Sequence, residues 1–308
     1  MSLKSIFSLS VVLILLGCAP IQCTASDTSI SSLLPTAERS PSNKVNNHKN
    51  RRSLVFNHRI LPVDSFVMIQ GKVNLIPKKC KIINIITKEE KPCKKNELAE
   101  DRIRISKMKP AFRGSGIVIK VDKDETYILT ARHVCTKSDE ITVARPIAGA
   151  PNEVMLEWEV EQTVVSRVMT QDGVSRKSSV VKFHEEKDLC IMKSPGGWGT
   201  PAPIAKQYPQ TGEMVYNIAA PLGMFEPGKT TLIFSGHTSG IDSDGDAWFT
   251  IPAKPGSSGS AVINNRGEIV AVIYAANTHL ESFSLAVPLK YIKQLLKDSL
   301  TNPSTAAN

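Results

Sequence analysis

Beyond residue 17 the chain of 308 residues has no apolar run near the roughly 20 residues that a membrane-crossing helix needs, and only 6% of it is aromatic, which excludes a polytopic helical membrane protein. It shows no internal repeat of 20–50 residues, so solenoids and propellers are excluded. No βαβ rhythm runs along it, which argues against a doubly wound parallel sheet. No cysteine or histidine pair stands at close ligand spacing, so no metal site is expected. With 18 glycines, 19 prolines and 6 cysteines the chain is neither collagenous nor a small disulfide scaffold. What remains, 41% hydrophobic and 22% charged, describes a globular domain.

The net charge of +9 comes from 38 basic and 29 acidic residues, and it is local. Residues 39–95 hold 14 basic and 3 acidic side chains, whereas residues 96–308 hold 23 and 24. The body therefore has no bulk electrostatic reason to bind nucleic acid, and no specific nucleic-acid partner is expected. The N-terminus carries Lys4 and then Val11-Val12-Leu13-Ile14-Leu15-Leu16, the short basic start and apolar core of an export signal. Two exits come after it. Leu15-Leu16-Gly17-Cys18 resembles a bacterial lipoprotein cleavage site, and Cys23-Thr24-Ala25 before Ser26 resembles an ordinary signal-peptidase site. Residues 1–25 are thus expected to be a signal peptide of a secreted, periplasmic or lipid-anchored protein, touching a membrane only through that signal or a lipid on Cys18. Residues 26–60, rich in Ser, Thr, Asn and Pro, cannot bury enough apolar surface to offset their ordering entropy and read as a disordered basic tether or a propeptide.

From residue 61 onward, short Val-, Ile- and Thr-rich runs alternate with turns such as Gly71-Lys72, Asp172-Gly173, Asp244-Gly245 and Asn265-Arg266-Gly267. Roughly a dozen strands are expected, with a single helix at the end. There Leu289, Ile292, Leu295 and Leu296 repeat at helical spacing opposite Lys290, Lys293 and Lys297. Cys80 and Cys93 bracket a lysine-rich stretch and are expected to form a disulfide, worth about 3 kcal/mol in the chain-entropy model. Cys135 and Cys190 each sit in an apolar strand-like run and read as buried free thiols. Asp242-Ser-Asp-Gly-Asp246 reads as an acidic hairpin turn, because it lacks the acidic twelfth ligand of a calcium loop. His184, His237 and His279 read as structural or surface residues.

Three segments carry chemistry. Tyr127-Ile-Leu-Thr-Ala-Arg-His133 ends an apolar strand on a histidine, and Asp188 opens another strand in Glu186-Lys-Asp188-Leu-Cys-Ile. Pro255-Gly256-Ser257-Ser258-Gly259-Ser260 is a tight turn of small residues leading into a strand. Glycines beside a serine let a substrate carbonyl approach the backbone N–H groups of such a turn, as an oxyanion hole requires. An α/β-hydrolase elbow is disfavoured, because this turn enters a strand and not a helix. In this order the three segments resemble the trypsin-like (chymotrypsin-fold) serine proteases, with a pattern near the bacterial Deg/Htr-type and viral trypsin-like peptidases. Asp64-Ser-Phe-Val-Met-Ile, Gly114-Ser-Gly-Ile-Val-Ile, Ala220-Pro-Leu-Gly-Met-Phe, Gly267-Glu-Ile-Val-Ala-Val and Phe283-Ser-Leu-Ala-Val-Pro-Leu extend the resemblance over about 61–298.

The resemblance implies an all-β fold of two antiparallel six-stranded barrels closed by a C-terminal α-helix. It implies a protease domain at 61–298 with an insertion at 75–108, a disordered tail at 299–308 and no PDZ module. It implies a serine endopeptidase with catalytic His133, Asp188 and Ser258, an oxyanion hole from the amides of Gly256 and Ser258, and no cofactor. The substrate would be a protein or peptide and the enzyme a monomer. Pro252, Tyr274 and Ala275 would line the primary pocket. Pro252 stands where a basic specificity would call for an aspartate, so an apolar or small P1 side chain is expected. Two departures are visible: Ile117 stands near the place of the usual partner cysteine in the strand before the histidine, and Ser260 replaces the second glycine of the frequent Gly-x-Ser-Gly-Gly motif. The competing reading is a catalytically silent binding or scaffold module on the same fold.

Overall fold

A computed structural model of the chain describes residues 61–301, other than 94, 137–139, 148–149 and 278–279. The expected signal peptide, Cys18, the 26–60 tether and His279 lie outside the described residues. Fourteen strands and three α-helices follow in the order β1 (Phe66–Asn84), β2 (Glu90–Pro92), α1 (Lys95–Lys107), β3 (Ala111–Val121), β4 (Glu125–Thr130), α2 (Arg132–Cys135), β5 (Glu140–Pro146), β6 (Val154–Met169), β7 (Ser175–Phe183), β8 (Cys190–Pro195), β9 (Met214–Ala219), β10 (Leu232–Ile241), β11 (Ala247–Phe249), β12 (Ala261–Ile263), β13 (Ile269–Ala276), β14 (Ser284–Pro288) and α3 (Leu289–Thr301).

The strands make two antiparallel barrels. In the first, β1-β3-β4-β8-β7-β6 pair in turn and β6 returns to β1, closing a six-stranded ring, with β2 and β5 added on the flanks. In the second, β10-β11-β14-β13-β12-β9 close on themselves. The all-β two-barrel expectation holds. The start of β1 is buried on both faces because it lies between the barrels. Val67 and Ile69 enter the first barrel's core, while Phe66 and Met68 pack on Ile218 and Ala220 of the second. A shared core joins Ile117, Leu129, Leu189 and Ile191 to Ile263, Ile269, Val272 and Val287, and α3 seals it with Ile292 and Leu295. The leucine spacing read in the sequence thus marks the face that covers the seam. α3 runs three residues past the expected domain edge, to Thr301.

At the start of the expected insertion at 75–108, β1 continues to Asn84 alongside β6, with Lys81 opposite Glu157 and Lys79 opposite Glu159, each pair also joined by a salt bridge. The early basic excess is thus partly balanced by glutamates of β6. One expectation needs correction: the final helix is not the only one of length, since α1 crosses this ribbon. Its Ile105 joins Val73, Leu75, Leu156, Trp158 and Val160 in a small separate core, and its buried Asp101 takes a bidentate hold on Arg145 of β5. α1 escaped notice because a helix covering a two-stranded ribbon needs few apolar positions. The Cys80–Cys93 bridge is present as expected. Among the described residues no helix is long and apolar enough to cross a membrane.

Candidate active site

His133 stands in the single turn of α2, directly after β4. The turn has no side-chain cap; it is closed by Val134 N–H on Ala131 O and Thr136 N–H on Arg132 O, and anchored by buried Val134 and Cys135. Asp188 precedes β8, the neighbour of β4. Its Oδ2 lies 2.6 Å from His133 Nδ1, and its Oδ1 accepts the His133 backbone N–H at 2.9 Å. The double contact fixes the imidazole plane and puts the Nδ1 proton on the aspartate side, leaving Nε2 as the nitrogen able to take a proton. Burial pushes the Asp188 carboxyl up. The hydrogen bond and charge of His133, with the amides of His133 and Arg132, outweigh burial and hold it below the usual carboxylate range.

The serine turn comes from the second barrel and rests on the first. Ser115 of β3 donates its N–H to Ser258 O at 2.8 Å, next to the β4 end that leads into His133. Two glycines make this approach feasible. Gly256 has φ +99° and a Cβ there would strike Ala220 O; Gly259 has φ +87° and a Cβ would strike Ser115 O and Thr130 Oγ1. Among the described residues neither the Gly256 nor the Ser258 N–H donates to a backbone carbonyl. The Ser258 hydroxyl makes a long contact, 3.4 Å, with Tyr274 O. His133 and Asp188 are therefore brought into direct contact as the sequence predicts, and the Ser258 turn is docked on the same β3–β4 edge.

Of the expected pocket residues, Pro252 and Ala275 are partly exposed on either side of the turn. Tyr274 has a further engagement: its hydroxyl donates to Asp246 Oδ2 at 2.9 Å, and Asp246 Oδ1 pairs with Lys187 at 2.8 Å. Burial and that carboxylate push the Tyr274 phenol well above its ordinary range. Burial pulls the Lys187 ammonium down, but Asp246 prevails and holds it above the usual lysine value. This network crosses from the residue before Asp188 to the second barrel. Asp242 is consumed by its own turn, accepting Asp244 N–H, Asp246 N–H and Trp248 Nε1–H, as an acidic hairpin turn should.

Several supports went unseen in the sequence. His184 is buried, and its Nδ1 accepts the N–H groups of Glu186 and Lys187, which shapes the loop delivering Asp188. Arg132 reaches from α2 to the carbonyls of His184 and Glu185 and stacks on Phe183. The free-thiol expectation for Cys135 and Cys190 is wrong: they form a disulfide. Each lies two residues after a member of the His–Asp pair, and Cys190 is the register partner of Thr130, so the two segments already run side by side. Equal offsets from His133 and Asp188 were the signal available in the sequence.

The family model for the trypsin-like peptidase domain matches residues 114–272, a stretch that contains His133, Asp188 and Ser258. The chain belongs to this family. HtrA-like serine proteases of Staphylococcus aureus, in strains USA300 and MRSA252, are 25% identical to this chain over an alignment of 232 residues that covers 70% of it. The alignment spans only 26% of their own length. A solved serine endoprotease from Yersinia pestis superposes with a TM-score of 0.49 at 17% identity, covering 80% of this chain and 65% of that one.

Proposed function

We propose that the chain is a serine endopeptidase acting through an acyl-enzyme. Ser258 Oγ attacks the peptide carbonyl while His133 Nε2 takes its proton. The tetrahedral oxyanion is received by the N–H groups of Gly256 and Ser258. His133 then returns the proton to the leaving amine, and water repeats the sequence to release the acid. Asp188 holds the imidazole tautomer and stabilises its cation. The observation that carries this reading is the double hold of Asp188 on His133, on both the ring and the amide, beside a serine turn in which, among the described residues, two N–H groups donate to no backbone carbonyl. Pro252, Tyr274 and Ala275 are assigned to a pocket for an apolar or small P1 side chain. No cofactor is required. Two disulfides among the described residues suit an oxidising compartment, which supports export, with Cys18 as the lipid site if the signal is of lipoprotein type; we assign the enzyme as a monomer.

The test is reaction with a fluorophosphonate together with turnover of a peptide library. Wild type should be labelled and Ser258→Ala should not, with turnover falling by about 10⁴–10⁶. An unlabelled, inactive wild type would overturn the reading in favour of a silent scaffold. Dominant cleavage after Lys or Arg would refute the apolar pocket.

A further inference from the structure

We infer that Ser260, held by Asn217, is a positioning residue that aims the Ser258 N–H into the oxyanion hole. The inference rests on the peptidase reading and concerns the residue at which the chain departs from the common glycine pattern. In a trans peptide the C=O and the following N–H point in opposite directions. Whatever fixes the carbonyl of one residue therefore fixes the direction of the next amide. The Ser258 N–H belongs to the peptide whose oxygen is Ser257 O. That oxygen accepts two hydrogen bonds, from Ser260 Oγ at 2.6 Å and from Ser260 N at 3.0 Å. With both lone pairs engaged, the peptide plane cannot rotate without breaking two bonds inside the protein.

The hydroxyl of Ser260 is itself directed. Asn217 of β9 donates from Nδ2 to Ser260 Oγ at 2.8 Å and to Ala261 O at 2.9 Å, so the serine oxygen accepts from Asn217 and must turn its own proton to Ser257 O. Ser260 and Asn217 are both fully buried, which removes water as a competing partner. Glycine at 260 would retain the amide bond to Ser257 O and lose the hydroxyl bond with its Asn217 relay.

The other amide of the hole is directed in the same manner from a different place. The Gly256 N–H shares its peptide with Pro255 O, which accepts the Leu222 N–H at 2.6 Å; Leu222 holds φ 56°, unusual for a residue with a branched side chain. The intervening peptide is held by Ser115 Oγ, which donates to Gly256 O at 2.8 Å while accepting Ala220 N–H at 3.0 Å. Three successive carbonyls of the turn are thus occupied before any substrate arrives. Such donors stabilise developing charge without reorganising at the moment of reaction.

The test compares wild type with Ser260→Ala, Ser260→Gly and Ser260→Thr, reading kcat, KM, the affinity of a peptide boronate whose tetrahedral adduct mimics the intermediate, and thermal stability. Ala and Gly should lower kcat and boronate affinity together by about tenfold with KM nearly unchanged, short of the roughly 10²–10³ lost when a hole donor is removed outright. Thr, which keeps the hydroxyl, should recover most of both. Asn217→Ala should reproduce the loss, and combining it with Ser260→Ala should add little further. A merely structural hydroxyl would lower the melting temperature and leave kcat and boronate affinity in place, and that result would overturn the inference while wild-type turnover kept the peptidase reading intact. A wild type without activity or labelling would overturn both.

Discussion

Replacing Cys135 and Cys190 by alanine tests how the first barrel holds its two members of the proposed triad. The bridge joins residues 55 positions apart with Cα atoms 6.6 Å from each other. Closing a loop of that length removes about 4 kcal/mol of denatured-state entropy in the chain-entropy model. The Cys80–Cys93 bridge lies wholly outside this loop, so the two contributions are separate. Both sulfurs are buried among Val67, Ile69, Ile128 and Met192, and the void left by their removal adds about 1 kcal/mol. Urea denaturation of the double variant should therefore show a loss of about 5 kcal/mol, with the melting temperature lower by about 10–20 °C for a domain of this size. Activity should respond far less. The ring and amide contacts of His133 with Asp188 do not involve sulfur, so kcat/KM measured well below the unfolding transition should fall by no more than about tenfold. Non-reducing peptide mapping of wild type should recover the Cys135 and Cys190 peptides joined. A stability loss under about 1 kcal/mol, or free thiols at both positions, would refute the reasoning. A thousandfold fall in kcat at unchanged stability would also contradict it, since the bridge would then act on the chemistry rather than on the chain.

Lys187→Met removes the cation from a carboxylate that still binds Tyr274, and the charged hydrogen bond lost is worth about 2 kcal/mol of stability. Lys187→Met combined with Asp246→Asn should cost less than the two single changes summed; additivity within about 0.3 kcal/mol in urea melts would count against a coupled network. The depressed carboxyl of Asp188 sets a pH dependence of definite sign. Its contribution is complete above the unfolded carboxylate value of about 3.9 and disappears as pH falls through the lower folded value. The stability advantage of wild type over Asp188→Asn should accordingly shrink as pH falls from about 4 toward 2. An advantage that grows as pH falls below about 4 would contradict the assignment.

The features legible in the sequence were those with a backbone signature. A histidine at a strand end, an aspartate at a strand start and serines between glycines each imply a local chain path, and their order along the chain restricts the fold that brings them together. The strand rhythm from 61 onward was legible for the same reason, as was the helix whose Ile292 and Leu295 cover the seam between barrels while Leu289 packs in the core of the second. The residues that escaped notice have no local signature. Lys187 looks like any lysine before a strand, and only the fold brings its ammonium to Asp246, 59 positions later. Asn217 meets Ser260 across 43 positions, and Ser115 meets Gly256 across 141. Cys135 and Cys190 were misread because an apolar flank is equally suited to a buried thiol and to a buried disulfide, and only their matching offsets from His133 and Asp188 distinguished the two.

The same division runs through the chemistry assigned to the site. Atoms that would meet substrate lie on short segments that can be recognised one at a time. Atoms that hold those segments in place come from both barrels, as Ser115 does from the first and Ser260 with Asn217 from the second. A hydrogen bond between barrels exists only where both are folded and docked, so the bonded geometry of the turn bearing Ser258 depends on both. Ser115 links them most directly, because its amide and hydroxyl reach the carbonyls of Ser258 and Gly256 while its own carbonyl accepts Thr130 Oγ1 just ahead of His133. One buried residue of β3 thereby ties the serine turn to the strand end that carries the histidine, so a displacement of either barrel is transmitted to both halves of the proposed triad at once.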